Sequence, residues 1–267
     1  MTEANTNRGV LFDVKQCIGC GSCTVACKLW NDLGYEKPDV AGNAHGFDVE
    51  LTDKNWTIVT YNREKDANGK DVLRFLKNQC MHCKEPACIS VCFAHALYID
   101  ENGAVVCDPA KCAGCRYCMI ACPYSVPKYE WDKVFPSIQK CQMCDSKIAA
   151  GEATSCSAVC PTGALTFGDR DELLALAKKK IAADPSYVNH VYGETEGGGT
   201  RWLYISDVPF EKLGLPINVP NTPINDYLHG YLKYTPVVFL GGGALFAALS
   251  IYTKRRAKVA GHGEGDE

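Results

Sequence analysis

The sequence predicts an α+β protein with two small metal-binding domains, an insertion, and one apolar helix near the C-terminal end. Three observations support this prediction. Sixteen of the 17 cysteines fall into four quartets, a strand–loop unit recurs along the chain, and twenty uncharged residues lie between Lys233 and Lys254. Four quartets are enough for two domains that each hold two metal centres.

The composition excludes several classes of protein. With 267 residues the chain is too long for one small disulfide-stabilised fold and long enough for two compact domains. An odd number of cysteines cannot all pair within the chain, and the two cysteines of a C-x2-C motif are poorly placed to join distant segments. The net charge of −3 gives no indication of a nucleic-acid surface. The first residues show neither an apolar core stretch nor paired arginines, so we expect no secretory signal.

The spacing of the cysteines indicates iron–sulfur clusters. The first and third quartets have the spacing C-x2-C-x2-C-x3-C, in which three cysteines bind one cluster and the fourth binds a neighbouring one. The second and fourth quartets lengthen one internal gap and keep the terminal C-x3-C. In chain order the quartets are Cys17, Cys20, Cys23, Cys27; Cys80, Cys83, Cys88, Cys92; Cys112, Cys115, Cys118, Cys122; and Cys141, Cys144, Cys156, Cys160. We predict that these sixteen thiolates are the iron ligands of four [4Fe-4S] clusters.

Other interpretations of the metal-binding residues are weaker. Structural zinc sites use two separated C-x2-C pairs rather than a compact three-plus-one pattern. Cys107, the cysteine outside the quartets, aligns with Phe12 on the strand before a cysteine loop, so we expect a small core residue there. His82 and His95 are not needed as ligands, because each quartet already supplies four.

A repeated unit connects the quartets. The stretch GVLFDVKQCIGCGSC (9–23) aligns with GAVVCDPAKCAGCRYC (103–118), and CFAHALYID (92–100) resembles CPTGALTFG (160–168). A strand–loop–helix–strand unit used repeatedly builds a two-cluster ferredoxin domain. The fold class is therefore α+β, with two ferredoxin-like two-cluster domains. Lys28 and Phe93 follow the first and second quartets where the other two have proline, so we expect the first two helices to continue past their last cysteine.

Two further segments have recognisable local patterns. The alternating NWTIVTY stretch predicts a strand within the segment 28–79, although a solvated loop fits the composition equally well. In DRDELLALAKKKIAADP, Asp169 is the expected N-cap with Glu172 three residues later, and Pro185 ends an amphipathic helix.

The uncharged run near the C-terminus predicts a single transmembrane helix. Its twenty residues would span about 30 Å as a helix, which matches the hydrocarbon thickness of a membrane. A buried helix of a soluble domain is the alternative. The tyrosines expected at the two interfaces are Tyr227, Tyr231, Tyr234 and Tyr252. Four basic residues follow the span, so we expect the C-terminus in the cytoplasm and the cysteine-rich body on the outer, periplasmic side of the inner membrane.

The cysteine-containing segments resemble a known family. The order CIGCGSC, CMHCKEPAC, CRYCMIACPYSVPKY, KCQMCDSKIAAGEATSC and VCPTGALTFG is similar to the iron–sulfur (beta) subunits of membrane-bound molybdopterin oxidoreductases and uptake hydrogenases. CKLWND (27–32) and DKNWTIV (53–59) resemble the formate dehydrogenase beta subunit, whereas residues 191–216 resemble the hydrogenase-2-type electron-transfer subunit. The resemblance spans almost the whole chain, and Phe93, where such subunits usually have proline, is a departure.

The resemblance implies how the cysteines combine into four ligand sets. Set 1 is Cys17, Cys20, Cys23 and Cys160; set 2 is Cys141, Cys144, Cys156 and Cys27; set 3 is Cys80, Cys83, Cys88 and Cys122; set 4 is Cys112, Cys115, Cys118 and Cys92. Sets 1 and 2 then belong to a first domain, nearer the catalytic partner, and sets 3 and 4 to a second domain, nearer the membrane. The expected division is 1–33 with 136–170 as the first domain, 34–79 as the insertion, 80–135 as the second domain, 171–233 as a helix and connecting extension, 234–253 as the transmembrane helix and 254–267 as the cytoplasmic tail.

The function that this resemblance implies is electron transfer. The chain would relay electrons through four [4Fe-4S] clusters between a catalytic molybdopterin or [NiFe] subunit and a membrane cytochrome b or quinone-reactive subunit. Its folded body would be exported with a partner that carries a twin-arginine signal. The sequence shows neither a Gly-rich nucleotide loop nor a nucleophile–base pair, so we expect no catalytic residues. The alternatives are a soluble stand-alone polyferredoxin and the iron–sulfur subunit of another molybdopterin oxidoreductase.

Overall fold

The fold is described from a computed structural model of residues 7–34, 50–66 and 69–261. The chain divides into two compact units at Ile224, and each is described by itself. The strands of the first unit are β1 (Arg8–Asp13), β2 (Ile58–Lys65), β3 (Asp71–Asn78), β4 (Leu97–Ile99), β5 (Val105–Cys107), β6 (Lys128–Tyr129), β7 (Ile138–Gln139), β8 (Leu165–Asp169) and β9 (Trp202–Ile205). Its helices are α1 (Ser22–Trp30), α2 (Ala87–Ser90), α3 (Tyr117–Ala121), α4 (Asp145–Ala149), α5 (Ser155–Ala158) and α6 (Arg170–Ala183).

The main sheet has the order β8-β1-β9. Strand β1 pairs with β8 in the antiparallel direction, and Phe12 lies opposite Leu165. It pairs with β9 in the parallel direction, and Phe12 lies opposite Tyr204. The apolar run from Val10 to Phe12 is fully buried, as expected for a central strand that is covered on both faces. The first and last quartets are thereby connected through one sheet, and β9 is an addition that the sequence did not predict.

The segment before the second quartet forms a hairpin. Strands β2 and β3 pair in the antiparallel direction from Ile58↔Asn78 to Lys65↔Asp71. This confirms the strand expected at NWTIVTY. The Tyr61 ring packs edge-on against Phe75, and its hydroxyl donates to the Gly19 carbonyl at 3.3 Å. The hairpin therefore contacts the loop of the first quartet.

Two smaller hairpins follow. Strand β4 pairs with β5, and β6 pairs with β7, both in the antiparallel direction. The β4–β5 hairpin joins the second quartet to the third. The turn between β6 and β7 contains the expected boundary between residues 135 and 136, so these two paired strands come from different expected domains.

The helices after the first two quartets differ from each other. Helix α1 continues to Trp30, three residues past Cys27, as expected. The corresponding prediction for the second quartet is wrong: α2 ends at Ser90, before Cys92. The chain turns at this point, where the His95 N–H donates to the Cys92 carbonyl, and then enters β4. A turn so close to the helix end prevents a longer α2.

Helix α6 has the predicted N-terminus. The Asp169 side chain accepts hydrogen bonds from the backbone N–H groups of Asp171 and Glu172, at 2.9 and 3.3 Å. Its buried residues Leu173 and Ala177 pack against Leu11, Leu203 and Ile205 of the main sheet. On the other side of that sheet Phe12, Trp202 and Tyr204 form a core with thiols of three quartets.

The second unit contains two helices, α7 (Ile224–Leu232) and α8 (Thr235–Gly261). In the described part of the chain, Thr235–Val259 is the one helical segment long and apolar enough to cross a membrane, with a mean hydropathy of 1.6. The helix includes Lys254, Arg255, Arg256 and Lys258, so the first half of the expected tail is helical. The side chain of Tyr231 lies outside the described residues.

Candidate metal centres

The first C-x2-C motif of each quartet shares one backbone feature with the other three. The residue before the second cysteine has a left-handed conformation in each: Gly19 at φ 69°, His82 at φ 47°, Gly114 at φ 66° and Met143 at φ 58°. This conformation turns the chain sharply between the two cysteines. Left-handed backbone costs an ordinary residue roughly 1–2 kcal/mol, so its use in four loops indicates a requirement of the loop.

Two of these positions need glycine for a second reason. A Cβ atom at Gly19 would lie 2.5 Å from the ring of Phe75, far inside van der Waals contact. A Cβ atom at Gly114 would lie 3.3 Å from the carbonyl oxygen of Pro136, which is a tight but milder approach. The β2–β3 hairpin therefore packs directly over the loop of the first quartet.

The other two positions have side chains that contact the β4–β5 hairpin. His82 is completely buried, and its Nδ1 accepts a hydrogen bond from the Val105 N–H at 2.9 Å. Met143 is also buried and packs with Ala104, Val106 and Ile148. The Gln142 side chain accepts from the Cys107 N–H at 2.9 Å. The loops of the second and fourth quartets thus both contact β5.

The fold brings together thiols of the first and fourth quartets. Cys17 interacts electrostatically with Cys23, Cys160 and Cys20, which are the other members of set 1. Cys27, on the last turn of α1, interacts with Cys156 and Cys144 of set 2, and Cys141 interacts with Cys27. The fourth cysteine of the first quartet is therefore close to the loop of the last quartet.

The same exchange occurs between the second and third quartets. Cys83 interacts with Cys80, Cys122 and Cys88, the other members of set 3. Cys118 interacts with Cys112, Cys115 and Cys92, the other members of set 4. Each set therefore combines two quartets: Cys122 of the third quartet joins set 3, and Cys92 of the second quartet joins set 4.

The four sets follow one another in a row. Cys23 of set 1 interacts with Cys156 of set 2. Cys141 of set 2 interacts with Cys80 of set 3, and Cys88 of set 3 interacts with Cys118 of set 4. These contacts place the sets in the order 1, 2, 3, 4.

Burial controls the protonation of these thiols. Burial raises the pKa of Cys17 to about 11 and that of Cys27 to about 12. It likewise raises the pKa of Cys118 to about 12, and that of Cys122 to about 11. Without a cation such thiols stay protonated at neutral pH, whereas a bound metal deprotonates them.

Cys107 differs from the quartet cysteines. It lies on β5, is 4% exposed, and packs with Leu97 and Ile138 in one buried cluster. Its backbone pairs with Leu97 of β4 and its N–H with Gln142. Its thiol is close to Cys118, but set 4 has four cysteines without it.

The surroundings of the thiols fit [4Fe-4S] ligation. Backbone N–H groups approach sulfur, from Met143 to Cys141 Sγ at 3.3 Å and from Ser155 to Cys144 Sγ at 3.4 Å. Near set 3, the buried atoms His82 Nε2 and Tyr124 Oη have no partner among the described residues. Cluster sulfur accepts hydrogen bonds from such donors, and these bonds tune cluster potentials. Across the same part of the chain, no three or more His, Cys, Asp or Glu side chains are grouped as ligands of a single metal ion.

Two buried residues near the thiols were missed at the level of sequence. Lys77 and Lys140 are each 1% exposed and lie beside cysteines of different sets. Lysine is rarely buried, so nothing in the local pattern distinguishes these two from surface lysines. The sequence shows only that Lys77 lies three residues before Cys80 and that Lys140 lies one residue before Cys141.

Comparison with known proteins supports iron–sulfur binding by this chain. Two family models described as 4Fe-4S dicluster domains match residues 16–96 and 72–170. A protein of Nitratidesulfovibrio vulgaris is 41% identical over 94% of this chain and 68% of its own length. The hydrogenase-2 operon protein HybA of Escherichia coli O157:H7 is 34% identical over 97% of this chain and 88% of HybA. The iron–sulfur subunit of the nitrate-inducible formate dehydrogenase of Escherichia coli K12 is 34% identical over 90% of this chain and 82% of that subunit.

The chain belongs to this family of iron–sulfur subunits. It is an electron-transport protein with 4Fe-4S dicluster domains, and the predicted family resemblance is confirmed. The two matched regions of the iron–sulfur subunit together contain all four quartets. Residues after 170, including β9, lie outside both matches. The assignment of individual cysteines to four clusters stays a prediction.

Proposed function

We propose that this iron–sulfur subunit relays electrons through four [4Fe-4S] clusters between a catalytic subunit and a membrane subunit. The observation that supports this most directly is the linear order of the four thiol sets. When bound, a [4Fe-4S] cluster takes up and releases one electron. The chain supplies sixteen quartet cysteines, and all but Cys20 are partly or fully buried.

Exposed apolar residues at both ends of the row support docking of two partners. Near set 1, Ile18 lies in the first cysteine loop and Leu29 on α1, and they are 58% and 70% exposed. Near set 4, Tyr117 and Ile120 lie on α3 and are 57% and 84% exposed. Large apolar residues grouped on a surface favour protein–protein contact. We assign the set 1 end to a catalytic partner of the formate dehydrogenase or [NiFe] hydrogenase type, and the set 4 end to a cytochrome b or quinone-reactive subunit.

Helix α8 supports a membrane anchor. Its apolar side chains are exposed within its own unit, for example Phe239 at 76% and Phe246 at 73%. A membrane would cover them, and a soluble polyferredoxin would leave them in water. The basic residues after the span favour a cytoplasmic C-terminus and a periplasmic cysteine-rich body at the inner membrane.

Iron analysis with a pair of cysteine variants tests the cluster assignment. Cys118 and Cys107 are both buried, on neighbouring elements, but only Cys118 belongs to a ligand set. In the anaerobically purified complex, the iron that remains after the iron of the partner subunits is subtracted should be sixteen atoms per copy of this chain. Cys107→Ser should retain them all, whereas Cys118→Ser should lose the iron of set 4. A wild-type content far below sixteen, or iron loss in Cys107→Ser, would reject the assignment.

Membrane retention and protease access test the location. Phe246→Arg places a charge near the middle of α8, which costs about 2.5–3.5 kcal/mol at the centre of a membrane helix and should weaken retention. Phe135→Arg changes a residue that is 92% exposed in the first unit and should leave retention unchanged. In spheroplasts, protease should digest the cysteine-rich body without membrane lysis. Digestion only after lysis would contradict the periplasmic location.

Co-purification tests the partners. We expect the native complex to contain a molybdopterin or [NiFe] subunit and an integral-membrane cytochrome b or quinone-reactive subunit. Leu29→Glu should release the catalytic subunit, and Ile120→Glu the membrane subunit, while each variant keeps its iron. Release of the same partner by both variants would contradict the assignment of the two ends.

A further inference from the structure

Lys77 and Lys140 are two fully buried ammonium groups whose partners are neutral. Lys77 Nζ donates to Thr57 Oγ1 at 2.5 Å and to Gln79 Oε1 at 3.0 Å, and it lies 4.6 Å from the centre of the Trp202 ring. Lys140 Nζ donates to the carbonyl oxygens of Val105 and Cys141. In the described part of the chain neither group forms an ion pair with a carboxylate. A buried charge without a counter-charge is strongly destabilising, so anions of another kind must balance them.

Lys77 lies at the junction of sets 1 and 2. It lines the same cavity as Cys17, Cys20, Cys23 and Cys160, which are the whole of set 1. It also interacts electrostatically with Cys156, Cys141 and Cys27 of set 2. When the cysteines of both sets bind clusters as thiolates, the Lys77 ammonium lies between two anionic centres.

Lys140 occupies the next junction. It precedes Cys141 of set 2 and interacts electrostatically with Cys80 and Cys88 of set 3. Its hydrogen bond to Val105 holds the side chain against β5, which also carries the contact with His82. Set 2 is thus approached by both lysines, and sets 1 and 3 by one each.

We propose that Lys77 and Lys140 are counter-ions that raise the reduction potentials of the clusters on either side of their junctions. The proposal depends on the proposed function, because it requires clusters bound by sets 1, 2 and 3. One-electron reduction makes a cluster with four thiolates more negative by one charge, and a nearby buried cation stabilises the reduced form. The cluster of set 2 receives both contributions. Set 4 has neither lysine beside its cysteines, so its potential should depend least on the two lysines.

Redox titration followed by electron paramagnetic resonance tests this in the intact complex. Lys77→Met removes the charge and keeps a side chain of similar length; two of the four midpoint potentials should become more negative. Lys140→Met should also lower two midpoint potentials, and one of them, that of set 2, should be the same as in Lys77→Met. The double variant should shift the potential of set 2 the most. Lys212→Met, an exposed lysine of the same unit, is the control and should shift none.

Lys77→Arg and Lys140→Arg separate charge from packing. If a Met variant loses iron while its Arg variant retains iron and wild-type potentials, the charge is required and the proposal holds. Unchanged potentials in iron-replete Met variants would overturn it, as would an equal shift of all four. Iron loss in both the Met and Arg variants would assign the lysines to packing and also overturn it. Fewer than sixteen irons in the wild type would instead contradict the proposed function.

Discussion

The cysteine loops of the first and third quartets use glycine where those of the second and fourth use His82 and Met143. All four residues have the same left-handed backbone. Gly19 and Gly114 adopt it without strain and leave room for Phe75 and Pro136, whereas the two larger residues adopt it at a cost. The left-handed turn is therefore a property of the cysteine loop and does not depend on which residue occupies the position.

What the larger residues gain is attachment to β5. The His82 ring accepts the Val105 N–H, and the Met143 side chain packs with Ala104 and Val106. The glycine loops have no side chain with which to make such contacts. Glycine therefore occupies the left-handed position where another element packs closely over the loop. A larger residue occupies it where its side chain contacts a neighbouring element.

Met143→Ala is the largest expected disruption of this attachment. Truncation of a fully buried methionine destabilises a protein by about 2–5 kcal/mol through the cavity that it leaves. We expect a lower anaerobic unfolding temperature and less iron in set 2. Met119→Ala, at a partly buried position on α3, is the matched control and should cost less. Equal losses in the two variants would show that Met143 has no special role.

Gly19→Ala should have the second-largest effect and lower the free energy of unfolding by about 2–4 kcal/mol. The added Cβ atom combines left-handed strain with overpacking against Phe75. Gly151→Ala isolates the strain, because Gly151 has φ 80° and no atom within 4 Å of its ideal Cβ. The difference between the two unfolding temperatures measures the clash, and Phe75→Leu should restore part of it. A Gly19→Ala variant no worse than Gly151→Ala would contradict the contact.

His82→Phe keeps a ring and removes the acceptor of the Val105 N–H. A buried donor left without a partner costs about 1–3 kcal/mol. We expect faster hydrogen exchange at the Val105 amide and a lower unfolding temperature. His95→Phe changes the other histidine with positive φ in this region and should leave the Val105 amide protected. Unchanged exchange in His82→Phe would mean that β5 is held without the imidazole.

Gly114→Ala should have the smallest effect, about 1–2 kcal/mol. Its Cβ atom would be 3.3 Å from Pro136 O and from the Tyr129 hydroxyl, contacts that small shifts can relieve. Most of the cost is left-handed strain. Gly163→Ala, at φ 67° with no atom within 4 Å of its ideal Cβ, should therefore match it closely in unfolding temperature. A loss as large as that of Gly19→Ala would show that the third loop is as tightly covered as the first.

Much of this arrangement could be predicted from local sequence patterns. Cysteine spacing indicated the loops, Asp169 and Glu172 indicated the start of α6, and alternation at NWTIVTY indicated β2. Each of these signals acts within one turn or one strand, where spacing determines geometry. The grouping of the first quartet with the fourth was implied only through the family resemblance, and the pairing of β1 with β8 was not predicted.

Contacts between distant segments could not be predicted. Strand β9 lies beside β1 although almost two hundred residues separate them in sequence, and no turn signal marks such a pairing. The left-handed backbone at His82 and Met143 was missed because only glycine signals it in a sequence. The burial of Lys77 and Lys140 depends on thiols that four separate segments provide.

The β8-β1-β9 order also determines when each centre can be completed on the ribosome. Every thiol of sets 3 and 4 lies between residues 80 and 122, so these cysteines are all synthesised before the last quartet begins at Cys141. Sets 1 and 2 must wait for Cys160, and the strand that flanks β1 ends only at Ile205. On the proposed ligand assignment, we expect iron insertion into sets 1 and 2 to be a late step of biogenesis, although Cys17, Cys20 and Cys23 are synthesised first.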